Sequence, residues 1–162
     1  MSEILDLLQE ANKRFNSVDH MLYVTYPLVK DNKLLILMVE GLNKSLNLFL
    51  EALMNYEYLY KRINNIPEDF SGKMDLLKRS VANRYNIPRN SIVVMEDLNK
   101  IVDERRKSPM EIVKREKYVI LSDNYNQTHV TIEKLKNYIN ESKLFINKVN
   151  TLIENARRFS TL

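Results

Sequence analysis

Leu35, Val39, Leu42, Leu46, Phe49, Leu53, Tyr56, Tyr60 and Ile63 follow one another in steps of four and three without interruption. That spacing places all of them on one stripe of an α-helix. The same rhythm returns at Ile132, Leu135, Ile139, Ser142, Ile146, Val149, Ile153 and Ala156, broken only by the hydroxyl of Ser142. Each seam needs a partner to cover it. The spacing therefore predicts two long helices, over about 32–63 and about 131–159, packed among shorter ones.

The remaining segments supply those partners. Ile4, Leu8, Ala11, Phe15, Val18 and Leu22 form the buried stripe of a first helix from about Ser2 to about Val18, with Ser2 as its expected N-cap. Asp19 to Pro27 is rich in aromatic and β-branched residues and closes on a proline, so it reads as a buried connector. Asp31 or Asn32 should cap the second helix, whose first turns, Leu34 to Val39, are apolar all round and therefore central. Phe70, Met74, Leu77, Val81 and Tyr85 mark a third helix. Ser91 is placed to cap a fourth, buried through Val94, Met95, Leu98, Ile101 and Val102.

Ser108-Pro109-Met110-Glu111 has the form of a capping box, with serine at the cap, proline at the first helical position and glutamate at the third. A short new helix is expected there, reaching Tyr118 and giving way to irregular chain; by periodicity alone Tyr118-Val119-Ile120-Leu121 could equally stay helical or become extended. Ser122 to Gln127 reads as loop, and Thr131 as the cap of the last helix. The expected class is all-α: one antiparallel bundle of about five helices, a single domain over residues 1–162.

Composition removes many functions. Two glycines, Gly41 and Gly72, leave little scope for an all-β architecture, and their separation excludes a Walker loop or a dinucleotide fingerprint. The absence of cysteine excludes disulfides, thiolate metal sites and a cysteine nucleophile. Histidine occurs only at 20 and 129, with no glutamate three residues before either, so the Glu-x-x-His pairs of metal-binding bundles are missing. No cofactor and no metal are expected. The densest apolar run, Leu34 to Val39, is six residues long, against the roughly twenty of a membrane span. The acidic beginning, Met1 to Glu10, is unlike a secretory leader, so a cytoplasmic protein without a membrane partner is expected.

The formal charge of +4 is unevenly spread. Residues 1–64 carry 7 basic and 8 acidic side chains, and residues 65–162 carry 18 and 13. Arg105, Arg106, Lys107, Lys114, Arg115 and Lys117 stand among only two acids, Glu111 and Glu116. The candidate anion-binding residues are therefore Arg105, Arg106, Lys107 and Arg115, just before an expected helix N-terminus with its free amides. Glu111 is a candidate acid or base, as is His20, which stands beside Asp19 with Tyr23 and Tyr26 close in sequence. Tyr56, Tyr58 and Tyr60 have the chemistry to stack bases, but Tyr56 and Tyr60 lie on the apolar seam, where packing is the simpler role. Asn137, Asn140, Asn147 and Asn150 read as the solvated face of the last helix.

Two long helices, a shorter pair, and an arginine-bearing break at Arg105-Arg106 before a further helix together resemble the HEPN-type helical bundles of prokaryotes. Nuclease members of that family carry Arg, four to six residues, then His at this kind of position. They commonly dimerise to bring two motifs together on RNA, and often pair with a nucleotidyltransferase encoded alongside. Here the corresponding positions, Met110 to Val113, hold no histidine. The resemblance thus implies an inactive relative that keeps Arg106 and Glu111 and lacks the general base. The expected function is a non-catalytic intracellular interaction or regulatory module without catalytic residues. It would self-associate through the part of the second helix's stripe that shorter helices leave uncovered. The alternative is RNA binding or cleavage through the basic 105–117 segment.

Overall fold

The computed structural model describes residues 1–108, 110–114, 117–121 and 127–160. Helix α1 (Ser2–His20) runs through a π-turn at Met21–Thr25 into α2 (Tyr26–Val29), and α3 (Lys33–Leu59) returns beside them. Next come α4 (Phe70–Leu76), a second π-turn at Leu77–Val81, α5 (Ala82–Tyr85) and α6 (Arg89–Lys107). Strands β1 (Met110–Lys114), β2 (Lys117–Leu121) and β3 (Gln127–Thr131) form an antiparallel meander in the order β1-β2-β3, and α7 (Ile132–Ser160) closes the chain. The molecule is predominantly a helical bundle.

Helix α3 is its spine, packed by α1, α6, α7 and the faces of β2 and β3. From Leu35 to Tyr56 every residue of its predicted seam is buried. Helix α1 lies antiparallel to it: the Ser45 hydroxyl donates to the Ala11 carbonyl at 2.8 Å, and the Tyr26 hydroxyl to Asn32 Oδ1 at 2.9 Å. Between these two contacts, a Cβ on Gly41 would stand 2.7 Å from the Val18 side chain, so glycine sets how closely the two helices approach. The α7 seam is buried from Leu135 to Ile153, and Thr131 Oγ1 accepts from the Lys134 amide at 3.2 Å as the expected cap.

Several local expectations are corrected. Ser2 is the first helical residue, with Met1 at the cap, because residue 1 already adopts the half-in position. The Asp19–Pro27 connector is helix. Its π-turn shifts the hydrogen-bond register so that the Tyr26 amide reaches the Met21 carbonyl, and Pro27, which has no N–H, falls in the first turn after the shift. It is also exposed at Tyr23 and Val24 rather than buried. Helix α3 ends at Leu59, where Lys61 turns to φ 55°, so Tyr60 leaves the buried stripe and Ile63 joins the core from beyond the helix. Ser91 lies inside α6 after a cap at Pro88, and its hydroxyl donates to the Glu141 carbonyl at 2.6 Å, tying α6 to α7.

The largest correction is the sheet. Ser108 ends α6 instead of capping a new helix, and its hydroxyl donates to the Leu121 carbonyl across the β1–β2 pair. Met110 pairs with Leu121 and Lys114 with Lys117, while Tyr118 pairs with Val130 on the other side. A capping box satisfies only a helix's first turn, whereas Ile112, Val113, Val119, Ile120 and Val130 are β-branched, favour extended chain, and gain a hydrogen-bonded ladder from the adjacent strands of the meander. Tyr118, Ile120 and Val130 turn into the helical core. Of the predicted loop, residues 122–126 lie outside the described residues, and Gln127 belongs to β3.

Candidate functional site

Arg105 lies on the last turn of α6, facing α3. Its Nη1 pairs with Glu40 of α3, and its Nε stands 2.9 Å from Oε1 of Glu111 on β1. The Tyr118 hydroxyl, from β2, donates to the other oxygen of Glu111. One cation of α6 is thus held by two carboxylates, one from α3 and one from β1. Burial works against the Arg105 charge, but Tyr118, Glu40 and Glu111 outweigh it and raise the guanidinium pKa above its ordinary value. Burial, and then Glu111, push the Tyr118 hydroxyl up as well. The arrangement locks the sheet onto the bundle.

The other predicted residues do not converge on it. Lys107 pairs with Asp103 one turn back at 3.1 Å, in water. Arg106 lines an open groove of about 500 Å³ between α3 and α6, with Glu40, Lys44, Asn47 and Glu51. Arg115 lies outside the described residues. His20 is exposed near the end of α1, beside a shallow groove with Asn16, Ser17 and Thr25, whereas Glu111 is engaged on the sheet. Asp19 stands 4.0 Å from Lys143. Of the asparagine stripe, Asn150 is partly buried and exchanges side-chain hydrogen bonds with Asn12 at 2.8 and 3.0 Å. Among the described residues no three of His, Asp and Glu gather as a metal site, and no helix is long and apolar enough to cross a membrane.

A second cluster, at the opposite end of α3, was not singled out from the sequence. Glu57 has no exposed surface. Its Oε1 accepts from Arg62 Nη1 at 3.3 Å and from the Tyr85 hydroxyl, and its Oε2 pairs with Arg84 Nη1. Arg62 also lies over two rings, 5.4 Å from the Tyr56 centroid and 5.3 Å from that of Tyr60. A hydrogen bond with Tyr56 is the first reason its pKa is raised, and burial is the first reason Tyr85 is raised. Tyr56 and Tyr60 are 4.7 Å apart, so two of the three tyrosines hold an arginine rather than a base. The available signal was a carboxylate set between Tyr56 and Tyr58 on an otherwise apolar helix end.

A third feature is apolar. Tyr23, Val24, Leu28, Val29 and Leu37 are exposed where α2 turns into α3, Leu28 by 79% and Val29 by 60%. Lys30, in the left-handed region at φ 54°, makes the turn.

No family model, curated protein or solved structure matches this chain.

Proposed function

We propose that the chain is a non-catalytic helical module that works by self-association, through the closed end of the α1–α3 hairpin. The observation that carries this reading is the exposed apolar group Tyr23, Val24, Leu28, Val29 and Leu37. Apolar residues scattered singly over a surface need no explanation, but five at one hairpin end do. A second copy suits this end, because a two-fold axis would lay each apolar helix face against an identical one. The turn also carries Lys30, Asp31 and Lys33, which offers both signs of charge across such an axis. This moves the interface away from the α3 stripe, which α1, α6 and α7 cover within the chain. Against catalysis stands the separation of the candidate acid/base groups, with Glu111 held by Arg105 and Tyr118 on the sheet and His20 on α1.

Sedimentation equilibrium tests it, with the wild type beside Leu28→Glu/Val29→Glu and circular dichroism to verify that helix is retained. A concentration-dependent dimer that the double variant loses is the expected result. A wild-type monomer at every concentration, or a variant that dimerises equally, overturns it. Titration with single-stranded RNA over a salt series belongs in the same experiment, since binding that falls steeply with salt would favour the nucleic-acid reading instead.

A further inference from the structure

The Glu57 cluster holds more positive charge than its buried carboxylate needs. One guanidinium neutralises Glu57, yet Arg62 and Arg84 both reach it, and each does so through Nη1. A guanidinium carries five N–H donors in a rigid fork. The remaining nitrogens of these two are not among the buried unpartnered atoms, and the side chains keep 36% and 35% of their surface in water. Neither arginine has a second acidic partner among the described residues. Tyr56 and Tyr60 hold the Arg62 fork by its face, and the Tyr85 ring lies 6.0 Å from Arg84. Glu57 thus acts as an inner counter-ion: it holds one nitrogen of each fork, Arg62 also meets the Tyr85 hydroxyl, and the three charged groups together keep one net positive charge. Beside Arg62 opens a groove of about 420 Å³, whose walls add Arg79, Asn64, Asn65 and Ser80 and one acid, Asp75.

We infer that Arg62 and Arg84, oriented by Glu57, bind a phosphate-sized oxyanion at this end of α3. Paired planar forks match such a group better than flexible ammonium groups do. The inference stands apart from the self-association reading, which concerns the other end of the helix.

The test uses the full chain. Thermal unfolding followed by circular dichroism is compared in inorganic phosphate and in chloride at equal ionic strength. Tyrosine fluorescence, unmasked because the chain has no tryptophan, gives the binding isotherm. The wild type should be stabilised by phosphate beyond chloride, as any ligand of the folded state requires. Arg84→Gln should weaken phosphate by about tenfold or more, the loss of a charge-assisted bond. Arg62→Lys, which keeps the charge without the fork, covers the case in which Arg84→Gln does not fold, and it should weaken binding too. Arg106→Gln, in the separate α3–α6 groove, should leave the response unchanged. Adenosine monophosphate is a second titrant, and the tighter of the two shows whether the site takes free phosphate or a phosphate monoester. No phosphate-specific stabilisation of the wild type overturns the inference, as does a response that Arg106→Gln removes and both Arg84→Gln and Arg62→Lys retain.

Discussion

Helix α3 carries an arginine cluster near each end, and the two are built in opposite senses. Near its start one arginine, Arg105, lies between two partly exposed carboxylates, Glu40 and Glu111. Near its finish one wholly buried carboxylate, Glu57, lies among two arginines and a tyrosine. The first sits in the segment whose sequence is most basic, yet its key cation is spoken for. The second sits in a stretch that reads as packing, yet it retains an unbalanced positive charge. Net charge along the chain is therefore a poor guide to where charge is available, because availability depends on which acids other elements bring in.

The burial of Glu57 makes the second cluster the more expensive to damage. Glu57→Ala should destabilise the protein by about 2 to 4 kcal/mol, somewhat under the usual cost of breaking a buried pair because both arginines can turn to water. Urea unfolding followed at the helical circular dichroism band measures this, and a loss no larger than that of Arg105→Ala would erase the contrast. Arg105→Ala itself should cost about 1 kcal/mol, since it leaves Glu40 and Glu111 unpaired but each partly hydrated. Its distinctive effect should be local, with faster amide exchange in β1 and β2 than in α6.

Alkaline pH separates the tyrosines. Tyr85 and Tyr118 both have hydroxyl pKa values raised by burial, and Tyr138, beside Asp97 on α6, is raised for the same first reason. A folded value above the unfolded one of about 10 means that the stability from a neutral hydroxyl is complete below that pH and is lost as pH rises toward the folded value. Urea midpoints should therefore fall as pH rises above about 10, and each Tyr→Phe change should flatten that fall. An unaltered slope in Tyr138→Phe would contradict the burial account most directly. The smallest expected effect is that of Lys107→Ala. The pair with Asp103 is a solvated one-turn contact, so the change should stay within about 0.5 kcal/mol. A larger value would mean that Lys107 has a role beyond its pair with Asp103.

The helical skeleton was legible because its cause is local and repetitive. Leu35 to Tyr56 and Leu135 to Ile153 announce buried faces by spacing alone, and Thr131 announces a cap by its hydroxyl. The anion-binding prediction was legible only as composition. Arg105 and Arg106 are adjacent in sequence, but a helix turns about 100° between them, so one meets Glu40 and the other faces the α3–α6 groove. Glu57, Arg62 and Arg84 were missed because their meeting requires the chain to leave α3, cross Asn64 to Asp69 and return on α5, a path no periodicity encodes.

By itself the sequence determined that this chain is a mostly helical bundle around α3, because apolar spacing states which faces must be hidden and by what element. Tertiary structure decided the rest: that Met110–Lys114, Lys117–Leu121 and Gln127–Thr131 pair as strands, and that Pro27 is absorbed after a π-turn. It also decided that Glu57, Arg62 and Arg84 meet. Each of these depends on a partner in another element or on a shifted hydrogen-bond register, and a ladder, a turn of π-helix and a buried ion pair gain their free energy only once those partners are in place.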